Sequence, residues 1–422
     1  MVVSSILYAL LVTPACAMWA SPAKTADAER AAWLADGGKD GDFDAQIVAN
    51  RARNITRPPP LRYTPDKSPG CGLPLPAGLE IGKTKTLTLT RNEPVYDNAS
   101  RTRTFRVHLP VNFDMTKPAM LVMDFHGYYD TEIIEETRAG MVPASDTDNF
   151  IVVFPRGGGD SGEWPSWNGV GTTGSPGPKG KTCDTNRKYW GYYDCYASCE
   201  QSVGCDVTAG CQCASCYDDI GFIKDMLDLL ERELCVDLNH IHATGCSNGG
   251  MMAYAVAYGL PDRIASIAPV ASAALLGFDE VPQFPTSIME FHGTGDSIIP
   301  ANTSESYGDN VAPDGATFSS DGFYYVSQPQ MTGRFAEAAQ CAAAGKPGKD
   351  VVHYPTDYDD VRGLSCVMPY GKCGTGLDVV QCSGSWGHTW PLGSTVPLAY
   401  GRMVYDFFAA HPLVAAPDAA TA

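Results

Sequence analysis

One short stretch of this chain has the residue types and spacing for nucleophilic chemistry. In Gly245-Cys-Ser-Asn-Gly249 a serine stands midway between two glycines. The strand-like His240-Ile-His-Ala-Thr244 precedes it, and the helix-like Gly250-Met-Met-Ala-Tyr-Ala-Val-Ala-Tyr258 follows. A serine on such a strand-to-helix turn is held in a strained conformation, and the flanking glycines let the backbone pass close without a Cβ clash. The turn also puts Ser247 at a helix N-terminus, where the macrodipole favours a developing negative charge. The bland alternative is a glycine-rich turn that only packs helix on sheet. The strand before and the helix after favour a nucleophile.

A serine hydroxyl attacks poorly until a base takes its proton. Among eight histidines, His388 stands in the rigid loop Gly384-Ser-Trp-Gly-His-Thr-Trp-Pro391, after a strand-like 377–380. His108, inside a predicted strand, and His411, near the C-terminal tail, read as structural or exposed; His240 and His242 read as core or supporting groups. The orienting acid belongs between serine and histidine in chain order. Ser287-Ile-Met-Glu-Phe-His-Gly-Thr-Gly-Asp296 is a buried-strand pattern running into a glycine turn that ends in an aspartate. Asp279, Asp309 and Asp314 share the interval, but none directly follows a strong strand. Asp296 would hold the imidazole tautomer and stabilise the imidazolium without taking the proton.

A tetrahedral intermediate needs two fixed donors. One is the backbone N–H of Asn248, directly after the serine. The other is the Tyr128 N–H at the end of Asp124-Phe-His-Gly-Tyr128, where Gly127 permits close approach. His126 and His292 precede glycines and read as loop braces, with His126 also placed at the substrate cleft. Trp164, Trp167 and Trp390 fit an aromatic or sugar subsite, with simple loop packing as the equal alternative. This chemistry requires no metal and no organic cofactor.

Positioning these groups takes a layered scaffold. The alternating patterns at 84–90 and 104–109 predict half-buried antiparallel strands. The apolar runs at 119–125, 150–154, 240–244, 264–270 and 287–291 predict strands covered on both faces. Helical patterns at 220–234 and 250–258 lie between them. The alternation predicts an α/β fold: a mostly parallel central sheet with helices on both faces and catalytic groups at the strands' carboxyl ends.

The 422 residues carry a formal charge of -18, which disfavours nucleic acid and anionic membranes and suits a neutral substrate. Residues 1–17 read as a signal peptide ending in Ala15-Cys-Ala17, so the protein is expected to be secreted. Residues 18–70 read as a pro-region or linker, 71–410 as the catalytic domain and 411–422 as a tail. Removal of Cys16 leaves an even number of the 15 cysteines, as in a disulfide-bonded exported protein. Seven of them crowd 183–216, which predicts a disulfide-rich insert capping the site; a zinc knuckle at Cys211-Gln-Cys-Ala-Ser-Cys216 is the competing reading. Sequons stand at Asn54, Asn98 and Asn302. The chain is expected to act as a monomer.

Taken together, Gly245-Cys-Ser-Asn-Gly-Gly-Met-Met-Ala253, Phe291-His-Gly-Thr-Gly-Asp296 and Gly387-His-Thr-Trp-Pro391 resemble the secreted feruloyl esterase and polyhydroxybutyrate depolymerase group of α/β-hydrolases, of carbohydrate esterase family 1 type. Ser68-Pro-Gly-Cys-Gly72, Val153-Phe-Pro-Arg-Gly157 and Asp218-Asp-Ile-Gly-Phe-Ile223 match the same pattern, so the likeness runs from about 68 to 408. It implies hydrolysis of carboxylic esters, either hydroxycinnamoyl esters on cell-wall polysaccharide or hydroxyalkanoate polyesters. Two features depart from it. The cysteine insert is longer than usual, and Cys246 resembles the tannase-like cysteine that is bridged to one after the histidine. Here Thr389 follows His388, which leaves Cys382 as a substitute partner. A peptidase using the same triad and a non-catalytic binding protein on a hydrolase scaffold are the rival readings.

Overall fold

The runs read as strands pair into one large sheet. In chain order the strands are β1 (Lys83–Glu93), β2 (Ala99–Leu109), β3 (Ala119–Phe125), β4 (Ile151–Pro155), β5 (Val236–Cys246), β6 (Ser266–Val270) and β7 (Ser287–Gly293), then β8 (Val352–His353), β9 (Ser365–Met368) and β10 (Val379–Gly384). Their spatial order is β1-β2-β4-β3-β5-β6-β7-β10-β9-β8. The pairs from β4 through β3, β5, β6 and β7 to β10 are parallel, and the edges β1–β2–β4 and β10–β9–β8 are antiparallel. The computed structural model describes residues 64–93, 99–158, 165–170, 217–275, 278–302, 306–307, 310–311, 316–318, 324–342, 351–356, 358, 363–391 and 397–413. The expected signal peptide, Trp164, the cysteine-rich 183–216, Asn54 and Asn98 lie outside these residues.

Among the described residues, six helices flank the sheet: α1 (Glu132–Arg138), α2 (Met141–Asp148), α3 (Asp219–Glu233), α4 (Asn248–Gly259), α5 (Gln328–Ala338) and α6 (Pro397–Ala410). Because side chains alternate along a strand, each central strand feeds two cores. Leu121, Met123 and Phe125 of β3 join Phe222 and Met226 of α3, Met252 of α4 and Phe335 of α5. Val122, between them, joins Met141 of α2 and Phe407 and Phe408 of α6 on the opposite face. Each such buried Phe or Leu is worth about 1.5–3 kcal/mol relative to exposure. Capping sets the helix starts: the Asp218 carboxylate accepts from the Gly221 N–H, and the Ser327 hydroxyl from the Gln330 N–H.

Residues on both sides of the expected 71–410 domain also pack against it. Residues 64–70, read as linker, dock on β5: Lys67 bridges Asp237, and buried Ser68 donates its hydroxyl to the Leu234 carbonyl. The Cys71–Cys235 disulfide closes the same contact. At the other end His411 is buried, bonded to the Phe407 carbonyl and to Asp378. Linker-like composition at 64–70 concealed a segment whose backbone and hydroxyl groups find partners only in the folded sheet.

Candidate active site

β5 and α4 meet at Ser247, whose φ of 58° and ψ of −122° lie outside ordinary helix or strand geometry. The Ser247 N–H donates to the Val270 carbonyl at 2.9 Å, and its own carbonyl accepts from Met251 at 3.0 Å, which ties the turn to β6 and to the helix. Space around the turn is minimal. A Cβ on Gly249 would stand 1.9 Å from the Phe125 carbonyl oxygen, and one on Gly245 would stand 2.6 Å from it. Both positions therefore require glycine. This strand–serine–helix turn sits on the central strands of a parallel sheet covered on both faces, with aspartate and histidine on later loops. The fold is that of an α/β-hydrolase.

In an α/β-hydrolase the acid and base hang from loops after later strands, and here those loops are laced together. The Thr294 N–H donates to the Gly384 carbonyl at 2.9 Å, and the Gly295 N–H to the Trp386 carbonyl at 3.0 Å. A Cβ on Gly293 would stand 2.2 Å from that Trp386 oxygen, so the close approach again depends on glycine. The lacing joins the end of β7 to the end of β10. It brings Asp296 and His388 within reach of Ser247.

His388 Nδ1 lies 2.8 Å from Asp296 Oδ2, and His388 Nε2 lies 2.8 Å from Ser247 Oγ. The other carboxylate oxygen, Oδ1, accepts the N–H groups of Ile298 and Ile299 at 2.9 Å each. A carboxylate only accepts, so Nδ1 must donate and Nε2 is left with a lone pair toward the serine hydroxyl. That is the tautomer in which the ring can take the serine's proton. Asp296 and His388 are buried, whereas Ser247 keeps part of its surface open. Asp279, a rival for the acid, is instead occupied by Arg334 and Gln330.

Asn248 opens α4 directly after the serine. Its side chain does more than the sequence suggested: Oδ1 accepts the Trp167 N–H at 2.7 Å, and Nδ2 donates to the Trp167 carbonyl at 3.2 Å. The signal was available, since a primary amide offers both a donor and an acceptor to the N–H and carbonyl of one residue. Tyr128 is half-buried in the loop after β3. That loop lies over the start of α4, because the Phe125 and His126 carbonyls both crowd Gly249. The next residue, Tyr129, has φ 64° and donates its N–H to the Pro165 carbonyl at 2.9 Å.

Two of the residues expected at the substrate cleft are packed as braces between loops. His126 and Trp167 have no exposed surface. Trp167 Nε1 donates to the His126 carbonyl at 2.9 Å, and the Trp167 ring meets Phe125 edge-on. His126 Nδ1 pairs with the Gly127 carbonyl at 2.8 Å, while Nε2 accepts the Gly157 N–H at 2.9 Å. The ring is thus a neutral brace, and burial pushes its pKa down to about 3. Trp390 is buried against the Tyr400 ring, 4.7 Å between centroids. Cys382, the suggested partner of Cys246, is bonded instead to Cys366 on the neighbouring strand, although Cys246 is itself disulfide-bonded. Among the described residues no cluster suited to a metal ion occurs, and no helix is long and apolar enough to cross a membrane.

Comparison with known proteins points in one direction. No family model matches the chain. It is 21% identical over 197 residues to a bifunctional acetylxylan esterase/xylanase of Neocallimastix patriciarum, covering 47% of this chain and 22% of that protein. It is 29% identical over 85 residues to a probable feruloyl esterase C of Aspergillus clavatus, 20% of this chain and 31% of that one. With feruloyl esterase B of Piromyces equi the figures are 32% over 94 residues, 21% and 18%. The chain therefore spans under a third of the length of these curated relatives. Among solved structures, an acetyl xylan esterase from Aspergillus awamori aligns with TM-score 0.42 at 13% identity, over 77% of this chain and 99% of that one.

Proposed function

We propose that the protein is a secreted carboxylic-ester hydrolase that works through an acyl-enzyme on Ser247, most directly on hydroxycinnamoyl esters of cell-wall polysaccharide. The observation that carries this reading is the unbroken chain Asp296–His388–Ser247, with 2.8 Å at each link. Ser247 Oγ attacks the ester carbonyl as its proton passes to His388 Nε2. Asp296 Oδ2 holds the resulting imidazolium in place. The oxyanion is received by the backbone N–H groups of Asn248 and Tyr128. The imidazolium then gives its proton to the departing alcohol, and water, deprotonated by the same nitrogen, releases the acid. Every proton is accounted for within the triad and the substrate, so the cycle calls on no cofactor.

The substrate class rests on the named relatives, which are feruloyl and acetylxylan esterases. Export rests on the leader-like N-terminus and on disulfides at Cys71–Cys235, Cys341–Cys373 and Cys366–Cys382. Rates on feruloylated arabinoxylan, acetylated xylan, hydroxybutyrate oligomers and a peptide test the assignment. The expected result is fastest release of ferulate. Cleavage of the peptide with no ester hydrolysed would overturn it in favour of a peptidase.

A further inference from the structure

A second histidine stands behind Asp296. His292 and Glu290 lie two residues apart on β7, on the same face and wholly buried. His292 Nε2 is 2.7 Å from the Ile299 carbonyl oxygen and 3.7 Å from Asp296 Oδ2. Both neighbours only accept, so this nitrogen carries a proton. Ile299, whose carbonyl it holds, also gives its own N–H to Asp296 Oδ1 at 2.9 Å. His292 thereby staples the turn whose amides aim Asp296 at His388.

The other ring nitrogen, Nδ1, faces Glu290 Oε1 at 3.2 Å. With Glu290 ionised, acceptors face both ring nitrogens and the ring is an imidazolium. Burial opposes that charge, yet Glu290 and Asp296 outweigh it and His292 binds its proton more tightly than a free imidazole. The titratable groups facing the pair are Asp296, Tyr254 from α4 and, beyond the strand, Tyr370. Tyr254 belongs to the helix that Ser247 begins.

We propose that Glu290 and His292 are positioning residues, a buried ion pair that fixes the Asp296 turn and offsets part of the Asp296 charge. The proposal rests on the triad reading above. A cation 3.7 Å behind Asp296 weakens the hold of that carboxylate on the His388 imidazolium. Removing the cation therefore strengthens that hold. In Glu290→Gln the carboxylate is gone, burial strips His292 of its second proton, and the Nε2–H on Ile299 stays. In His292→Gln the amide can still reach the Ile299 carbonyl but carries no charge.

The test is kcat/KM against pH for Glu290→Gln, His292→Gln and His292→Ala, with Ser247→Ala and His388→Ala alongside. Both glutamine variants should move the acid limb up by roughly half a pH unit. His292→Ala should also lower kcat, and His292→Gln should recover most of that loss. Native limbs in both glutamine variants, with Ser247→Ala and His388→Ala inactive, would overturn the positioning role alone. Activity surviving in Ser247→Ala would instead overturn the triad. Nitrogen-15 histidine spectra give a reading that does not depend on turnover. A doubly protonated ring present in the unsubstituted protein should turn neutral in isosteric Glu290→Gln, and an unchanged set of rings would sink the ion pair.

Discussion

Gly249 and Phe125 approach so closely that a Cβ on the glycine would stand 1.9 Å from the Phe125 carbonyl oxygen. The contact joins the first turn of α4 to the end of β3, and so joins the Asn248 N–H to the loop that carries Tyr128. Backbone meets backbone here, so neither side can yield by turning a rotamer.

Gly249→Ala should therefore be costly out of proportion to one methyl group. Overpacking of this kind costs about 1–3 kcal/mol. Displacing the proposed oxyanion donors should lower kcat far more than KM, because such donors act on charge that develops only in the transition state. Thermal melting and kcat on an aryl acetate check both parts, and a variant with native kcat would show that the two loops are not coupled.

Ser247→Ala and His388→Ala should each lower kcat by several orders of magnitude, and the double variant should lose little more. Members of a triad act as a unit, so their effects do not sum. A fluorophosphonate should label Ser247 covalently. Mass spectrometry finding the label on another serine would refute the assignment of the nucleophile.

The elements were legible in the sequence wherever periodicity was long. The apolar run at 119–125 became β3, and the pattern at 220–234 became α3 within one residue at each end. The three residues singled out by chain order meet in space because each sits just past a strand end, a local signal. What stayed hidden depends on loops that meet across long separations. Trp167 looked like a substrate contact, yet it is buried because residues 125, 126 and 248 close around it. Cys382 looked available to Cys246, yet the antiparallel register places it opposite Cys366. Asp124 looked like one polar residue in an apolar strand, and only the fold brings Glu135 of α1 beside it.

The Cys366–Cys382 disulfide ties β9 to β10, the strand that leads to the His388 loop. With a sequence separation of 16 between its ends, its loss should cost about 3 kcal/mol. Replacing both cysteines by alanine should lower Tm and, by loosening the strand under His388, reduce kcat. A native melting curve would rule out the strand tie as a source of stability.

His242 lies against Phe408, 4.5 Å between ring centroids, with Nδ1 on the Ser266 hydroxyl at 2.9 Å. Burial first, then His240 and His411, hold its pKa well below the ordinary value. A depressed histidine stabilises the fold above its unfolded pKa of about 6.5, and that contribution is lost as pH falls below it. His242→Phe keeps the ring against Phe408 and removes the titration. Its melting temperature should fall less than the native one between pH 6.5 and 5, and parallel curves would dismiss His242 as the cause.

Asp124 should give the opposite slope. It is wholly buried on β3, facing Glu135, and burial pushes its pKa up to about 8. Glu135, equally buried, is also raised, by burial and then by Asp124 and Asp130. The folded state therefore keeps a proton here that the unfolded chain gives up near pH 4. A raised carboxyl stabilises fully below the unfolded pKa, and the contribution drains away as pH rises toward the folded one. The loss is at most about 1.4 kcal/mol for each pH unit and each proton held. Asp124→Asn keeps the shape, can still hydrogen-bond Glu135, and has no proton to lose. Relative to the unsubstituted protein it should gain stability steadily from pH 5 to 8 and stop gaining above. Urea midpoints at half-unit steps measure the difference, and a constant offset across that range would mean that Asp124 is ionised in the folded protein.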